Sequence, residues 1–191
     1  VIELEVLKED IKNCTRCSLY KNMPLGPILS VGNKSDMMIV GEAPGEREGV
    51  LEEPFVGLAG KTLDKILEKC GLQRDNFYIC NTVNCRPMDG NKNRKPTKEE
   101  IKTCSSWLYE QIKLVQPKLI FTLGITPTQF LLEKKGVLKL EDYIGQVHTV
   151  NQLNIMPNYH PSYLMQHGRK KTEQAENVFK KGVEWLTTQQ S

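Results

Sequence analysis

The chain has 191 residues, of which 39% are hydrophobic and 26% charged, with a formal net charge of +3. That length and balance suit one globular domain over residues 1–191 and exclude a disordered or low-complexity chain, while +3 is too mild to mark a nucleic-acid binder by itself. The apolar runs are strand-sized, well short of the ~20 residues that cross a bilayer, and Val1-Ile2-Glu3-Leu4-Glu5 carries no basic stretch ahead of an apolar one; a monomer in the cytoplasm with no membrane contact is expected.

In residues 2–13, Ile2, Val6, Leu7 and Ile11 fall at helical spacing and predict an amphipathic helix running into Cys14. The apolar run 37–40 ends in Gly41 and predicts a buried strand that delivers its end to a loop. Leu58, Leu63, Ile66, Leu67 and Cys70 then predict a helix stopped by Gly71. A second strand is expected at 77–80. Thr97, with Glu100 three residues on, forms a capping-box signature for a long helix to about Val115. A third strand at 118–123, a helix at 126–134, strands at 147–150 and 153–156, and a closing helix at 172–186 complete the order. Strands alternating with helices predict an α/β protein, a three-layer α/β/α sandwich around a central, mostly parallel β-sheet, with its ligand site at the carboxyl ends of the strands. Chemistry is therefore expected in the segments 41–49, 81–87 and 160–162.

Six cysteines in an intracellular chain point to metal ligation before disulfides. Cys14-x2-Cys17 has the spacing that brings two thiolates to one centre, and Cys85 and Cys104 lie in segments able to complete a set of four. Cys70 and Cys80 stand where core residues belong. Spacing alone fits a structural zinc or a 4Fe-4S cluster; either would close a loop of about seventy residues.

Phe55 to Thr62 ends in Gly-Lys-Thr, as a phosphate-binding loop does, but Phe55 stands where that pattern needs glycine, and nucleotide hydrolysis is not expected. Gly41-Glu42-Ala43-Pro44-Gly45 is a rigid, side-chain-poor turn whose backbone can approach a small planar ligand, and the nearby Phe55 is suited to stack on it. Lys92, Arg94, Lys95 and Lys98 cluster in one polar loop and Arg169, Lys170 and Lys171 in another, both candidates for phosphate contact.

Cys14-x2-Cys17, Gly41-Glu42-Ala43-Pro44-Gly45, Pro54-Phe55-Val56-Gly57-x-Ala59-Gly60, Asn81 followed by Cys85-Arg86-Pro87, Cys104 and His160-Pro161-Ser162 occur in an order that resembles family 4 of the uracil-DNA glycosylase superfamily, its iron-sulfur branch, nearly end to end. The resemblance implies a 4Fe-4S cluster on Cys14, Cys17, Cys85 and Cys104, and hydrolysis of the N-glycosidic bond of uracil in single- or double-stranded DNA. It implies a uracil pocket of Gly41, Glu42, Ala43, Gly45, Phe55, Asn81 and His160, in which Phe55 stacks on the flipped base, Asn81 reads N3–H and O4, and His160 donates to O2 as negative charge develops there. Leu164 or Met165 would fill the gap left by the extruded base, with Ser162, Arg169, Lys170 and Arg94 on the DNA backbone.

The sequence departs from the family pattern after Gly45, where Arg47 interrupts the acids and only Glu46 and Glu48 remain. The best-known branch uses an aspartate for water activation where this chain has Ala43; Glu48 is the candidate here, for water or for excluding thymine's methyl. No lysine stands in a nucleophile motif, and 91–96 holds no histidine of the kind that traps DNA covalently, so ordinary turnover without strand cleavage is expected. A non-catalytic iron-sulfur protein or a zinc-stapled binding module would explain the cysteines but not Asn81 and His160.

Overall fold

The computed structural model describes residues 2–189. Its frame is a five-stranded sheet in the order β2-β1-β5-β7-β6, built from β1 (Met37–Gly41), β2 (Phe77–Asn81), β5 (Leu119–Leu123), β6 (His148–Val150) and β7 (Leu153–Asn158). All pairings are parallel except β6 with β7, so the mostly parallel sheet is as expected. Both faces are buried, which is why the strands read as continuous apolar runs. On one face Ile39, Phe77, Ile79 and Phe121 pack against α3 (Leu58–Lys69) and α6 (Pro161–Thr188), with Phe77, Phe121 and Phe179 in mutual ring contact. On the other, Met38, Val40, Tyr78 and Ile120 pack against α4 (Lys98–Val115) and α5 (Ile125–Leu131).

Helix α1 (Ile2–Lys12) buries Leu7 and Ile11 beside Trp107 of α4. Helix α4 opens with the expected capping box: the Thr97 hydroxyl accepts from Glu100 N at 3.2 Å and Glu100 Oε2 accepts from Thr97 N at 2.7 Å, an arrangement worth about 1 kcal/mol.

Three elements depart from the expectation. The turn after β1 contains a short helix, α2 (Glu46–Leu51), and residues after β2 form a hairpin of β3 (Met88–Asp89) and β4 (Lys92–Asn93). The last helix starts eleven residues early, at Pro161, because His160 is its N-cap and Pro161 suits the first helical position. It is broken inside by Gly168 at φ 73°, ψ −170°. No helix among the described residues is long and apolar enough to cross a membrane.

Candidate active site

The carboxyl ends of four neighbouring parallel strands, β2, β1, β5 and β7, converge. Gly41 and Asn81 are register partners at the ends of β1 and β2, and β5 joins β1 to β7, whose end leads through Tyr159 to His160. The join to His160 is fixed from below by Asn158, fully buried, which donates to Ala175 O at 3.1 Å and accepts from Tyr159 N at 2.8 Å. A pocket of about 370 Å³ lies there, lined among others by Glu42, Glu48, Phe55, Asn81 and His160, and falls in the ~300–1,000 Å³ range of small-ligand sites.

Phe55 is held in an unfavourable backbone conformation. Its φ is 56°, in the left-handed region that costs a non-glycine residue about 1–3 kcal/mol. Arg74 holds it there: the guanidinium donates to Pro54 O at 3.1 Å and to Phe55 O, while its Nε is fixed by Asp64 at 2.7 Å. Gly60 completes the clamp, since a Cβ on it would overlap the Phe55 carbonyl. Gly41 has a matching role on the pocket side, where a Cβ would lie 2.5 Å from Phe55 Cζ and against Asn81 Oδ1. The pocket floor is therefore closed to any larger residue.

Asn81 is 6% exposed. Its side chain bonds to no other described residue, yet no buried side-chain polar atom is left unsatisfied, so both its donor and its acceptor open into the pocket. Main-chain bonds from Thr82 N to Gly41 O (2.8 Å) and from Val83 N to Glu42 O (3.2 Å) tie its strand end to the neighbouring loop.

At His160 the hydrogen bonds fix the tautomer. Nδ1 accepts from Ser162 N at 3.2 Å, a bond only an unprotonated nitrogen can make, with Ser162 Oγ 2.7 Å away. The ring proton is therefore on Nε2. Burial pushes the imidazole down to about 4, against a smaller opposing pull from Glu48, so the ring is neutral at pH 7. The site holds a neutral N–H donor and, in Asn81, an amide. Glu48 Oε1 accepts from Gly57 N at 3.1 Å, bridging α2 to the start of α3, and Glu42 accepts from Thr126 of α5.

The four thiols expected to act together do meet: Cys14, Cys17, Cys85 and Cys104 line one cavity, and burial raises Cys85 to about 12 and Cys104 to about 11, in each case with an added contribution from the neighbouring thiols. Trp107 Nε1 donates to Cys14 Sγ at 3.2 Å, and the Arg16 guanidinium stacks 3.8 Å above the Trp107 ring. Among the described residues no three of His, Cys, Asp and Glu gather as ligands of a single ion. Cys80 is buried in the core, and Cys70 donates to Glu176 O at 3.3 Å.

A profile of the Uracil DNA glycosylase superfamily matches residues 29–186. The chain belongs to the uracil-DNA glycosylase superfamily. It is 36% identical over 163 residues to a type-4 uracil-DNA glycosylase of Thermotoga maritima, covering 85% of this chain and 83% of the relative. A type-4 enzyme of Saccharolobus solfataricus is 37% identical over 169 residues, covering 83% and 76%, and one of Archaeoglobus fulgidus is 34% identical over 185 residues, covering 93% and 90%.

Within this glycosylase fold the residues expected at DNA lie as follows. Leu164 is 3% exposed and part of the core, because a helix that starts at Pro161 turns it inward; Met165, 50% exposed, is the surface side chain of the pair. Arg94 is engaged internally, donating to both Glu100 oxygens (2.8 and 2.6 Å), to Met88 O and to Lys95 O, and so ties the hairpin to α4. Arg169 is exposed and pairs with Glu173, Lys170 is exposed, and Lys171 donates to the Tyr159 hydroxyl. His148 packs against Tyr143 and His167 stacks on Tyr163 at 3.6 Å, away from the pocket lining. Sequence reasoning missed Arg74, which has no motif and acts on a segment about twenty residues away, and Trp107, whose indole N–H reaches Cys14 from a helical position indistinguishable from core.

Proposed function

We propose that this chain, as one glycosylase domain over residues 1–191 acting as a monomer in the cytoplasm, removes uracil from DNA by hydrolysing the N-glycosidic bond and leaves an abasic site. The observation that carries the reading is His160: a neutral imidazole with its proton on Nε2, beside an unpartnered asparagine amide and a clamped aromatic ring. Bond cleavage puts negative charge on the leaving base, chiefly at O2, and a preorganised N–H donor lowers the barrier because its interaction strengthens as that charge grows. A neutral donor avoids giving up a proton that a weakly basic anion does not need. Asn81 pairs with N3–H and O4 of uracil; cytosine presents the reverse pattern and leaves the amide unpaired. Phe55 stacks on the extruded ring. Glu48, whose second oxygen is free of the Gly57 bond, takes the attacking water, Ala43 having no carboxylate to offer. On duplex substrate Met165 fills the vacated stack, and Ser162, Arg169 and Lys170 meet phosphates.

The same reading has Cys14, Cys17, Cys85 and Cys104 hold a 4Fe-4S cluster. Support comes from the four thiols that line one shared cavity and from the N–H donor to Cys14. When bound, the cluster ties α1 to α4 and to the segment that carries Asn81.

Incubation with a uracil-containing oligonucleotide followed by alkali tests the proposal. A break at the uracil alone, and none in a thymine control, is expected. Absence of any alkali-labile site overturns it.

A further inference from the structure

Outside the uracil pocket, the face formed by α4 and α5 carries a groove of about 690 Å³ that the reaction described above does not use. Its floor is an aromatic pair, Tyr109 and Phe130, with ring centroids 5.7 Å apart and Tyr109 41% exposed. Lysines stand along both walls: Lys95, Lys98 and Lys102 on the α4 side, Lys134 and Lys135 at the end of α5. None of the five forms an ion pair among the described residues. The acid on the groove wall, Glu133, is bonded to Asn151. Lys98 also sits in the first turn of α4, where the helix dipole disfavours cations, so helix stability does not account for its position.

The groove is continuous with the active site. A smaller cavity between them shares Lys95 with the groove and Glu42, His160 and Ser162 with the uracil pocket. Thr126, on the groove wall, donates to Glu42, on the pocket wall. Polymer entering the pocket as a flipped nucleotide has this basic, aromatic-floored path open to its neighbours.

We propose that the α4–α5 groove binds the unpaired DNA strand on one side of the uracil, with the lysines on phosphates and a base stacked on the Tyr109–Phe130 pair. The inference rests on the proposed glycosylase activity. Charge complementarity selects a polyanion, and the exposed ring selects unpaired bases over duplex, whose bases are already stacked. The track makes single-stranded uracil DNA a substrate with its own binding surface.

The test uses the full chain and oligonucleotides carrying uncleavable 2′-fluoro-deoxyuridine: a trinucleotide, and versions lengthened by about a dozen nucleotides on the 5′ or the 3′ side, single-stranded or paired. Lengthening one single-stranded flank is expected to raise wild-type affinity. Tyr109→Ala should remove about five- to tenfold of that gain, the lower end of the effect of losing one base–aromatic stack. Lys102→Glu/Lys134→Glu, at exposed positions that do not threaten folding, should also reduce the gain and lower the salt slope by about 1.4, or ~0.7 per lost phosphate contact. Both variants should excise uracil from a cleavable trinucleotide at the wild-type rate, and Tyr109→Ala should leave affinity for the paired flank unchanged. A flank gain that survives both substitutions overturns the groove, as does an equal loss on the trinucleotide or on the paired flank. Wild-type protein that excises no uracil from any oligonucleotide overturns the activity instead.

Discussion

Replacing His160 separates the N-cap role that the structure shows from the donor role proposed for the same side chain. In His160→Ala the Nε2 donor disappears, and loss of a single oxyanion donor costs on the order of 10²- to 10³-fold in rate, or ~3–4 kcal/mol. The N-cap also disappears, because Nδ1 no longer accepts from Ser162 N; that costs about 0.5–2 kcal/mol of stability, and each kcal/mol lowers Tm by roughly 2–4 °C in a chain of this size. His160→Asn distinguishes the effects, since asparagine is a good N-cap but its shorter side chain does not reach the Nε2 position. Single-turnover excision with saturating enzyme, beside thermal denaturation, should show His160→Ala slow and destabilised, and His160→Asn slow with near-native Tm. Ser162→Ala keeps the main-chain bond that sets the tautomer and should stay within a few-fold of wild type. A His160→Ala rate within threefold of wild type refutes the donor role, and a Ser162→Ala defect as large as that of His160→Ala refutes the argument from the tautomer.

The imidazole itself can be followed by NMR: it should titrate near 4, with the Nε2–H tautomer above that, whereas a midpoint near 6.5 would contradict the assignment. The folded-state value lies below the unfolded one, so the linked stability is complete above about pH 6.5 and is lost as pH falls from there towards 4. Gly60→Ala forces the Phe55 carbonyl aside and should cost about 1–3 kcal/mol in denaturant unfolding together with a raised KM for uracil DNA; an unchanged midpoint and KM would show that the clamp is dispensable. Cys104→Ala should yield protein without the brown colour, iron and acid-labile sulfide expected of wild type; zinc in the purified wild-type chain, with no sulfide, would replace the cluster reading.

The sheet was legible because its strands are buried on both faces: apolar runs such as 37–40 and 118–123 admit little else at that length. The segments bearing Gly41, Asn81 and His160 were legible as strand ends, and the strand order brings them together. What escaped was set by short or distant interactions. The hairpin contributes two residues per strand, too few for a period, and α2 is masked by the glycines and acids of its sequence. The inward turn of Leu164 was not legible because the helix start depends on a histidine acting as a cap, which is rarely a capping residue. Arg74 could not be read at all: its role is defined by the carbonyls it meets in the folded chain.

The order β2-β1-β5-β7 also governs when the pocket comes into being. Its parts come from positions 41, 55, 81 and 160, and β5, which bridges the early strands to the last, is made between them. Such a site is dominated by contacts distant along the chain, and these form late because loop closure precedes their reward. A nascent chain leaving the ribosome up to α5 has Phe55 and Asn81 but no His160. The pocket is therefore complete only once the segment bearing His160 has been made, and a product truncated before it carries Phe55 and Asn81 without His160.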